Sequence, residues 1–433
     1  MSVTSPSASG AIPRVVIVGA GFGGLAAAKA LRRAPVEVIL VDQHNHHVFT
    51  PFLYQVATAL LEPSEVAQPV RSLIRRSRNV TFRVGRVTGL DLLAMQVETD
   101  HGPIAYDYLV LAAGSVSNYF HNTDIATRSL GLNDLADALQ LRNQILSCFE
   151  QASWATDPAE RAHLLSFAVV GGGPTGVEFA AALAVLVAGM SSATSPPLIA
   201  TRSASRWSKE PTPLSVRSRR DCRPRRLRRF RPRVSRFARG YGGRHRCVGP
   251  GPRRRRAGRR GDRRVGRGGP GRSAGRRPGH GACEPRGVPV GPALQLVGRP
   301  EVFVVGDLAE IPAGEDVLPM LAQVAIQSGR HAARSIVAQV SGREVGRFHY
   351  RDLGTMATVG RNDAVAQIGP LKLSGFVGWL AWLLVHIMRT VGLQARASVV
   401  LSWISGYLFA DRPVRLITGP RQGSSYSHHG DET

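Results

Sequence analysis

Residues 14–24, RVVIVGAGFGG, decide the fold because they place a buried strand directly before a glycine-rich turn. The β-branched run RVVIV is typical of a strand that is buried on both faces. The turn carries Gly19, Gly21 and Gly24 in G-x-G-x-x-G spacing, which lets the backbone approach a pyrophosphate at the start of the next helix. GFGGLAAAKALRRA predicts that helix, and VEVILVD predicts a second strand that ends at Asp42, a carboxylate placed to bind a ribose. The stretch therefore predicts a dinucleotide-binding βαβ unit.

The same strand–turn–helix pattern occurs again in LSFAVVGGGPTGVEFAAALAVLVAGM, residues 165–190. Its turn contains Gly171, Gly173 and Gly176. Two such units predict an α/β chain with two Rossmann-like domains, one for a permanently bound dinucleotide and one for an exchanging dinucleotide. Glu178 is expected two residues into the second helix. It is either an acid favoured by the helix dipole or a residue close to a nicotinamide.

Three further segments complete the α/β pattern. YDYLVLAAGS, residues 106–115, predicts a buried strand that runs into a small-residue turn at Gly114. EVFVVGDLAEI, residues 301–311, predicts another strand with Asp307 at its end. LPMLAQVAIQSGRHAARSIVAQV then predicts a long helix.

Six segments together point to one family. In chain order they are GAGFGG, DQHNHHVFTPFLYQVATA, LAAGS, VVGGGPTGVEFA, VFVVGDLA and AQVAIQ. In these segments the chain resembles the type II NADH dehydrogenases, which are single-subunit NADH:quinone oxidoreductases. The resemblance covers about residues 13–190 and 293–418, and HHVFTPFLYQVATA and AQVAIQ are much more specific than the glycine turns.

The resemblance implies FAD in the first domain and NADH in the second, with non-electrogenic electron transfer to a quinone in a respiratory chain. It assigns the FAD site to residues of the first domain, namely Gly19, Gly21, Gly24, Asp42, Gly114 and Asp307. It assigns NADH to the second turn, with its three glycines Gly171, Gly173 and Gly176.

The resemblance also implies three catalytic residues and no metal site. Glu178 would lie near the nicotinamide, and Gln323 and Gln327 would contact flavin and quinone. The two glutamines are four residues apart and share one helix face. Without the resemblance, an ordinary solvated face would be the better interpretation.

Other flavoenzymes with a similar fold are alternatives to this family. Pyridine-nucleotide disulfide reductases and sulfide:quinone reductases use redox cysteines, and residues 43–147 contain none. Another FAD-dependent oxidoreductase of the ferredoxin-reductase type remains an alternative, but it would lack the apolar pair of segments at the C-terminal end.

That pair comprises FVGWLAWLLVHIM, residues 376–388, and ASVVLSWISGYLFA, residues 397–410. Both are shorter than the ~20 residues of a membrane-spanning helix. Aromatic residues inside them and basic residues around them predict amphipathic helices on a membrane surface; a buried core hairpin is the alternative. The expected location is peripheral, on the cytoplasmic side of the cell membrane. The expected partners are quinone and the membrane surface, with no nucleic acid, and a homodimer is allowed.

Residues 201–290 differ sharply in composition from the rest of the chain. They hold 29 Arg and one Lys against four acids, a net charge of +26 that equals the charge of the whole protein. Three interpretations compete: a nucleic-acid-binding insertion, a disordered linker, and a translation in the wrong reading frame from about 191 to 292. Residue types with GC-rich codons dominate and Lys is nearly absent, which favours the third. We therefore expect this segment to be disordered and to lack the strand that the second domain needs.

The predicted organisation has five parts. These are a leader (1–13), an FAD-binding domain (14–125 and 293–365), an NADH-binding domain (126–292), a C-terminal membrane-associating region (366–418) and a tail (419–433). A membrane-associated nucleic-acid-binding protein, acting through the arginine-rich segment, is the alternative from outside the enzymes.

Overall fold

The computed structural model of the chain describes residues 12–119, 122–190, 199–202, 214–216, 287–314, 316–390, 392–408 and 414–418. The strands are β1 Arg14–Val18, β2 Glu37–Asp42, β3 His46–Val48, β4 Ala67–Pro69, β5 Val80–Val84, β6 Val87–Asp91, β7 Gln96–Thr99, β8 Ile104–Ala105, β9 Tyr108–Leu111, β10 Phe167–Val170, β11 Ile199–Arg202, β12 Leu214–Val216, β13 Val288–Pro289, β14 Gln295–Leu296, β15 Arg299–Val304, β16 Ala309–Glu310, β17 Pro312–Ala313, β18 Asp316–Val317, β19 Thr355–Gly360, β20 Asp363–Ile368 and β21 Leu371–Ser374. The helices are α1 Phe22–Leu31, α2 Leu53–Ala57, α3 Pro63–Val66, α4 Val70–Ile74, α5 Thr123–Arg128, α6 Leu135–Trp154, α7 Pro158–Leu164, α8 Pro174–Met190, α9 Ala322–Val340, α10 Gly375–Arg389 and α11 Leu393–Leu408.

The largest sheet has six strands in the order β14-β15-β9-β1-β2-β5. All neighbouring strands are parallel except β14, which runs antiparallel to β15. In the centre of the sheet, Val16 pairs with Ile39 on one side and with Leu109 on the other. The sequence-based prediction of a buried parallel sheet is confirmed, and its strands end at a common carboxyl edge where ligands bind in such folds.

Helices α1 and α9 cover one face of this sheet and cross at two glycines. A Cβ atom on Gly329 would collide with the backbone carbonyl of Gly23. The close approach buries Leu25, Ala28 and Ile336 completely or almost completely in the same core as the strands. The long helix predicted for residues 318–340 is thus present as α9, and its small residues set its distance from α1.

The prediction that residues 191–290 lack the acid-ending strand that the second domain needs is wrong as to the strand, although no acid directly follows that strand in the sequence. β11 pairs in parallel with β10, with Phe167 opposite Ile199, and β12 pairs antiparallel with β11. The short β13 pairs with β16. The run Ile-Ala-Thr at the start of β11 suits a strand, but it is too short to show in a composition dominated by arginine. The predicted disorder of the arginine-rich segment falls mainly on residues outside those described.

The C-terminal part combines the antiparallel sheet β19-β20-β21 with helices α10 and α11. Trp382 of α10 and Val399 of α11 are buried in a second core with Phe52 and Ala364. On the opposite side, α10 exposes Leu384. Among the described residues, no helix is long and apolar enough to cross a membrane.

We expect Gly329→Ala to destabilise the protein because the new methyl group meets a backbone carbonyl that cannot rotate away. Overpacking of this kind costs about 1–3 kcal/mol, which should lower the thermal unfolding midpoint by about 2 °C or more. Gly346→Ala is the matched control, because no atom lies within 4 Å of its Cβ position. Equal unfolding midpoints for the two variants would show that the helix crossing is not tight.

Candidate functional site

The first glycine turn follows β1 and depends on three glycines. Two of them have no room for a side chain, and the third leaves the backbone open to solvent. Gly19 has a φ of +99°, and a Cβ there would collide with the carbonyl oxygen of Ala112. A Cβ on Gly24 would collide with the carbonyl of Gly19. At Gly21, by contrast, nothing lies within 4 Å of the Cβ position, and no side chain caps the start of α1. The free N–H groups at the start of a helix are suited to bind an anionic group such as a pyrophosphate.

Asp42 lies at the end of β2, beside this turn. Its Oδ2 accepts a hydrogen bond from the backbone N–H of Ala20 at 2.6 Å, and its Oδ1 accepts one from His44 N–H at 2.7 Å. Each carboxylate oxygen has a further lone pair, so the group can also accept from a ribose hydroxyl. The aspartate therefore both fixes the turn and offers the charged acceptor that a dinucleotide site needs.

His47 is hydrogen-bonded to the same turn from the protein interior. It is buried, its Nδ1 donates to the Ala20 carbonyl at 2.9 Å, and its ring meets Phe22 edge-on at a centroid distance of 5.0 Å. Burial lowers the pKa of His47 below its ordinary value, so the ring is neutral at pH 7. This arrangement gives His47 a structural role beside the turn.

Gly114 and Asp307 follow the neighbouring strands β9 and β15 at the same sheet edge. Gly114 has a φ of +75° with no atom within 4 Å of its Cβ position, which leaves the turn open. Ser115 Oγ lies 3.4 Å from Asp307 Oδ2 and donates to it. Burial raises the pKa of Asp307 above its ordinary value. The six residues predicted for FAD thus lie along one edge of one sheet.

The second glycine turn repeats the geometry of the first. Gly171 has a φ of +117°, a Cβ on Gly176 would collide with the Gly171 carbonyl, and Gly173 is open. The strand register also corresponds: Val170 pairs with Arg202 as Val18 pairs with Val41. Asp42 follows Val41 in the first unit, whereas Ser203 follows Arg202 in the second. The second unit therefore keeps its turn, and its second strand is followed in the sequence by a neutral residue, which lies outside the described part of the chain.

Glu178 is the fifth residue of α8, which begins at Pro174, rather than the second residue expected from the sequence. Its side chain is buried, and its Oε1 accepts a hydrogen bond from Thr358 N–H of β19 at 3.1 Å. Burial raises the pKa of Glu178 to about 8; the Thr358 N–H and the Trp382 indole favour the ionised form to a smaller extent. The Trp382 indole is near enough to Glu178 to affect its pKa, but the distance and angle at Trp382 Nε1 do not meet the criteria for a hydrogen bond. At neutral pH the carboxyl group is therefore mostly protonated and can give up or accept a proton.

A chain of buried polar side chains leads from Glu178 to α11. Thr358 Oγ1 and the Tyr54 hydroxyl are 3.1 Å apart, Gln55 Nε2 donates to that hydroxyl at 3.0 Å, and Trp403 Nε1 donates to Gln55 Oε1 at 2.7 Å. Burial, aided by the Glu178 carboxylate, raises the pKa of Tyr54 above its ordinary value, so Tyr54 stays protonated. We call Glu178, Thr358, Tyr54, Gln55 and Trp403 the polar chain. It links the second nucleotide unit to the C-terminal helices.

The two glutamines of AQVAIQ lie together on α9, but their amides bind the chain itself. Gln323 accepts from Leu353 N–H and donates to the Gly354 carbonyl, both at 3.1 Å. Gln327 donates to the Arg351 carbonyl at 2.9 Å and accepts from its N–H at 3.0 Å. They attach the segment before β19 to α9. The interpretation as an ordinary solvated face does not describe them.

Sequence analysis missed the functional connection of Tyr54, Gln55, Thr358 and Trp403. Tyr54 and Gln55 belong to the end of a segment quoted above, FLYQVATA, where two polar side chains interrupt an apolar run. That interruption was a signal of a buried hydrogen-bonded pair. Nothing near Thr358 or Trp403 in the sequence indicates their partners. Among the described residues, no group of three His, Cys, Asp or Glu side chains could hold a metal ion.

Comparison with known families agrees with this geometry. A model of the pyridine nucleotide-disulphide oxidoreductases matches residues 13–208, and a model of the NDH2 C-terminal domain matches residues 353–411. The type II NADH:quinone oxidoreductase Ndh of Mycobacterium tuberculosis is 37% identical over 449 aligned residues, covering 94% of this chain and 90% of the relative. This chain belongs to the type II NADH:quinone oxidoreductase family. The type II NADH:quinone oxidoreductase NdhA, also from Mycobacterium tuberculosis, is 36% identical over 96% of this chain and 92% of its own length.

Solved structures confirm the fold. The chain is similar to NDH2 from Plasmodium falciparum in complex with NADH, with a TM-score of 0.68 at 15% identity over 93% of this chain and 100% of the other. The sulfide:quinone oxidoreductase of Aquifex aeolicus gives a TM-score of 0.54 at 14% identity, over 92% of this chain and 96% of the other. Both share the two-unit α/β architecture.

The raised pKa of Glu178 makes stability depend on pH. Its folded value, about 8, exceeds its ordinary value of 4.5. Its stabilising contribution is therefore full below about pH 4.5 and is lost as pH rises through 8. We expect wild-type stability to fall across this window with a slope of up to about 1.4 kcal/mol per pH unit, and Glu178→Gln, which keeps the acceptor for Thr358 N–H, to remove that slope. Urea unfolding at several pH values measures it. The exposed Glu150→Gln is the control, and identical slopes in all three proteins would contradict a buried titration.

Proposed function

We propose that this chain is an FAD-dependent enzyme of the type II family, whose reaction is the transfer of a hydride equivalent from NADH to a membrane quinone, and that its own activity is reduced because the NADH-binding unit is damaged. The observation that carries the proposal is the complete first nucleotide site, from the Gly19 turn to Asp42 and Asp307, in a chain of this family. The two relatives from Mycobacterium tuberculosis are NADH:quinone oxidoreductases, and the same reaction class suits two glycine turns in one chain.

FAD fits the residues of the first unit. The open helix start at Gly21 faces outward for a pyrophosphate, and Asp42 offers a charged acceptor beside it. Gly114 leaves space at the adjoining turn. FAD, when bound, supplies the two-electron chemistry; the chain holds it through these groups and keeps water away with the buried core behind the turn.

NADH is assigned to the second glycine turn, with Gly171, Gly173 and Gly176 at its pyrophosphate. Glu178 lies one helical turn further along α8, buried and protonated at neutral pH. A reduced quinone needs two protons, and Glu178 is the group we assign to proton transfer near the reacting rings. Gln323 and Gln327 stay proposed contacts of flavin and quinone, made by the helix that they tie to residues 351–354.

We propose the domain organisation with one adjustment. The expected boundary between residues 365 and 366 falls inside β20, and the sheet β19-β20-β21 is continuous with α10. We therefore begin the C-terminal region near residue 353, where the NDH2 C-terminal model also begins. The FAD-binding domain then comprises residues 14–125 and 293–352, and the NADH-binding domain residues 126–292.

We further propose that α10 and α11 lie on a membrane surface. One side of each is buried against the second core, while the other exposes large apolar side chains, among them Phe376, Val377, Leu380, Leu384, Met388, Leu401 and Ile404. An apolar face of this size on a helix pair is typical of interfacial attachment. The cytoplasmic side is where NADH is available. A homodimer that covers this face is the competing arrangement, and sedimentation without lipid distinguishes it.

Loss of the charged acceptor should weaken FAD binding. We expect Asp42→Ala to bind FAD roughly 10- to 100-fold more weakly, because a hydrogen bond to a charged group contributes about 1.5–3 kcal/mol. Asp42→Asn, which keeps an oxygen for Ala20 N–H, should lie between it and wild type. Flavin absorbance after reconstitution and gel filtration gives the retention, with the exposed Glu344→Ala as control. Folded wild-type protein that stays colourless would exclude the FAD assignment.

NADH-dependent activity of this chain should be very low or absent. In the sequence, the neutral Ser203 follows the second strand of the second unit, whereas Asp42 follows that of the first. Without a carboxylate at this position for the adenine ribose, we expect NADH to bind roughly 10- to 100-fold more weakly than at an acidic site. Bound flavin should be bleached by dithionite but not by micromolar NADH. Rapid bleaching by micromolar NADH would contradict this.

The coding DNA tests whether a shifted reading frame is the origin of the arginine-rich residues 191–292. If residues 191–292 come from a shifted reading frame, one of the other two frames should encode a β-branched run that ends in Asp or Glu early in the interval. If neither frame does so, the arginine-rich segment is genuine, and binding of nucleic acid becomes the leading hypothesis for it.

A further inference from the structure

The FAD-binding domain carries a second basic region, separate from residues 201–290. Between Glu65 and Asp91 the chain has six arginines and no acid. All six are exposed, and among the described residues none of them forms an ion pair. Arg71 and Arg75 lie at α4, and Arg83 lies on β5, the outermost strand of the six-stranded sheet. We call Arg71, Arg75 and Arg83 the edge arginines.

The edge arginines surround two adjoining depressions in the surface. One, of about 310 Å³, is lined by Arg71, Arg75, Thr81 and Phe82 among others, and the next, of about 350 Å³, by Arg71, Phe82 and Arg83 among others. The guanidinium of Arg71 lies 5.4 Å from the centre of the buried Phe82 ring. Arg71 thus lines both depressions and makes a cation–π contact with the ring beneath it. Guanidinium groups with an adjacent hydroxyl are suited to bind phosphate oxygens.

This region is continuous with the C-terminal helices. Ser402 of α11 donates to Glu65 Oε1 at 2.6 Å, and the side chain of Gln68 lies against Gly392 at the start of α11. Arg71 follows Gln68 by three residues. The exposed Leu401 and Ile404 belong to the same helix. The arginines therefore begin where the proposed membrane-facing helices meet the FAD-binding domain.

We propose that the edge arginines bind the phosphate headgroups of anionic phospholipids, so that the FAD-binding domain itself contacts the bilayer beside α10 and α11. The proposal rests on the proposed surface attachment and adds a lipid class to it. An arginine close to an anionic bilayer raises partitioning by about fivefold, so three raise it roughly a hundredfold at low salt. The apolar face of α10 and α11 inserts into the bilayer surface. The edge arginines then determine how the FAD-binding domain is oriented relative to that surface. Two shallow open depressions suit headgroups that approach along a surface better than a nucleotide enclosed on all sides.

Bulk binding to vesicles cannot test this, because residues 201–290 carry a net charge of +26 and would attract anionic lipid by themselves. The test is therefore local. In a background with Cys148, Cys222, Cys247 and Cys283 replaced by Ser, a fluorophore is attached through Ser72→Cys on α4, Leu384→Cys on α10 or Ala94→Cys in the turn between β6 and β7. All three positions are exposed. Quenching by a headgroup-spin-labelled lipid then reports contact with the bilayer.

With vesicles of equal parts phosphatidylcholine and phosphatidylglycerol, we expect strong quenching at positions 384 and 72 and little at 94. With phosphatidylcholine alone, only position 384 should be quenched. The triple variant Arg71→Gln, Arg75→Gln, Arg83→Gln should reduce quenching at 72 to the level at 94 and leave 384 unchanged. Its matched control, Arg32→Gln, Arg33→Gln, Arg330→Gln, removes the same charge from other exposed positions and should change nothing at 72.

The outcomes separate the two proposals. Quenching at 384 without quenching at 72 would overturn the lipid site and leave the surface attachment in place. Absence of quenching at both positions would overturn the attachment and with it the lipid site. Inorganic phosphate, added at constant ionic strength, should leave the quenching at 72 intact; if it abolishes the quenching, the depressions bind free anions and the proposal for lipid is wrong.

Discussion

The close approach of backbone to backbone at the glycines is the constraint on which the rest of the structure depends. Gly19 and Gly24 let the first turn fold onto itself, and Gly23 and Gly329 let α1 and α9 touch through their backbones. Any side chain at Gly24 or Gly329 would meet a carbonyl oxygen, which cannot move as a flexible side chain can. The turn therefore ends β1 with N–H groups facing outward, and α9 is brought close enough for its amides to hold residues 351–354.

From that attachment follows the position of the polar chain. Residues 351–354 lead directly into β19, so the amides of Gln323 and Gln327 determine where Thr358 lies relative to Glu178 and Tyr54. Burying these groups separately would cost several kcal/mol in lost hydration. Joined to one another they offset that cost, and the environment keeps the Glu178 pKa near neutrality, which suits proton transfer. The glutamines thus act on the site through the backbone that they hold.

How far the sequence predicts this arrangement depends on the distance between the residues involved. β1, α1 and β2 lie within 29 residues, and the local pattern predicts all of them and the position of Asp42. Tyr54 and Thr358, by contrast, are separated by 304 positions, and no local pattern indicates their contact. The sequence did not predict the short β11 for another reason. The composition of the segment is dominated by the arginines that follow its few β-branched residues, yet β11 forms a strand by pairing with β10. The polar chain needed the fold, because its five members come from four elements.

The net charge of the whole protein is likewise less informative than the local arrangement of its charged residues. The net charge of the protein suggests a polyanionic partner, yet residues 201–290 account for all of it. The rest is neutral overall and still contains a stretch of six exposed arginines without an acid. What makes those arginines informative is their position: they flank an edge strand, border two depressions and adjoin α11. A phosphate at a membrane surface responds to the local field within about a Debye length, roughly 8–10 Å, and so to the edge arginines rather than to the protein's total charge. Under the proposed surface attachment, orientation on a bilayer would be determined by these few residues together with the apolar face of α10 and α11, whichever sequence occupies the interval between β12 and β13.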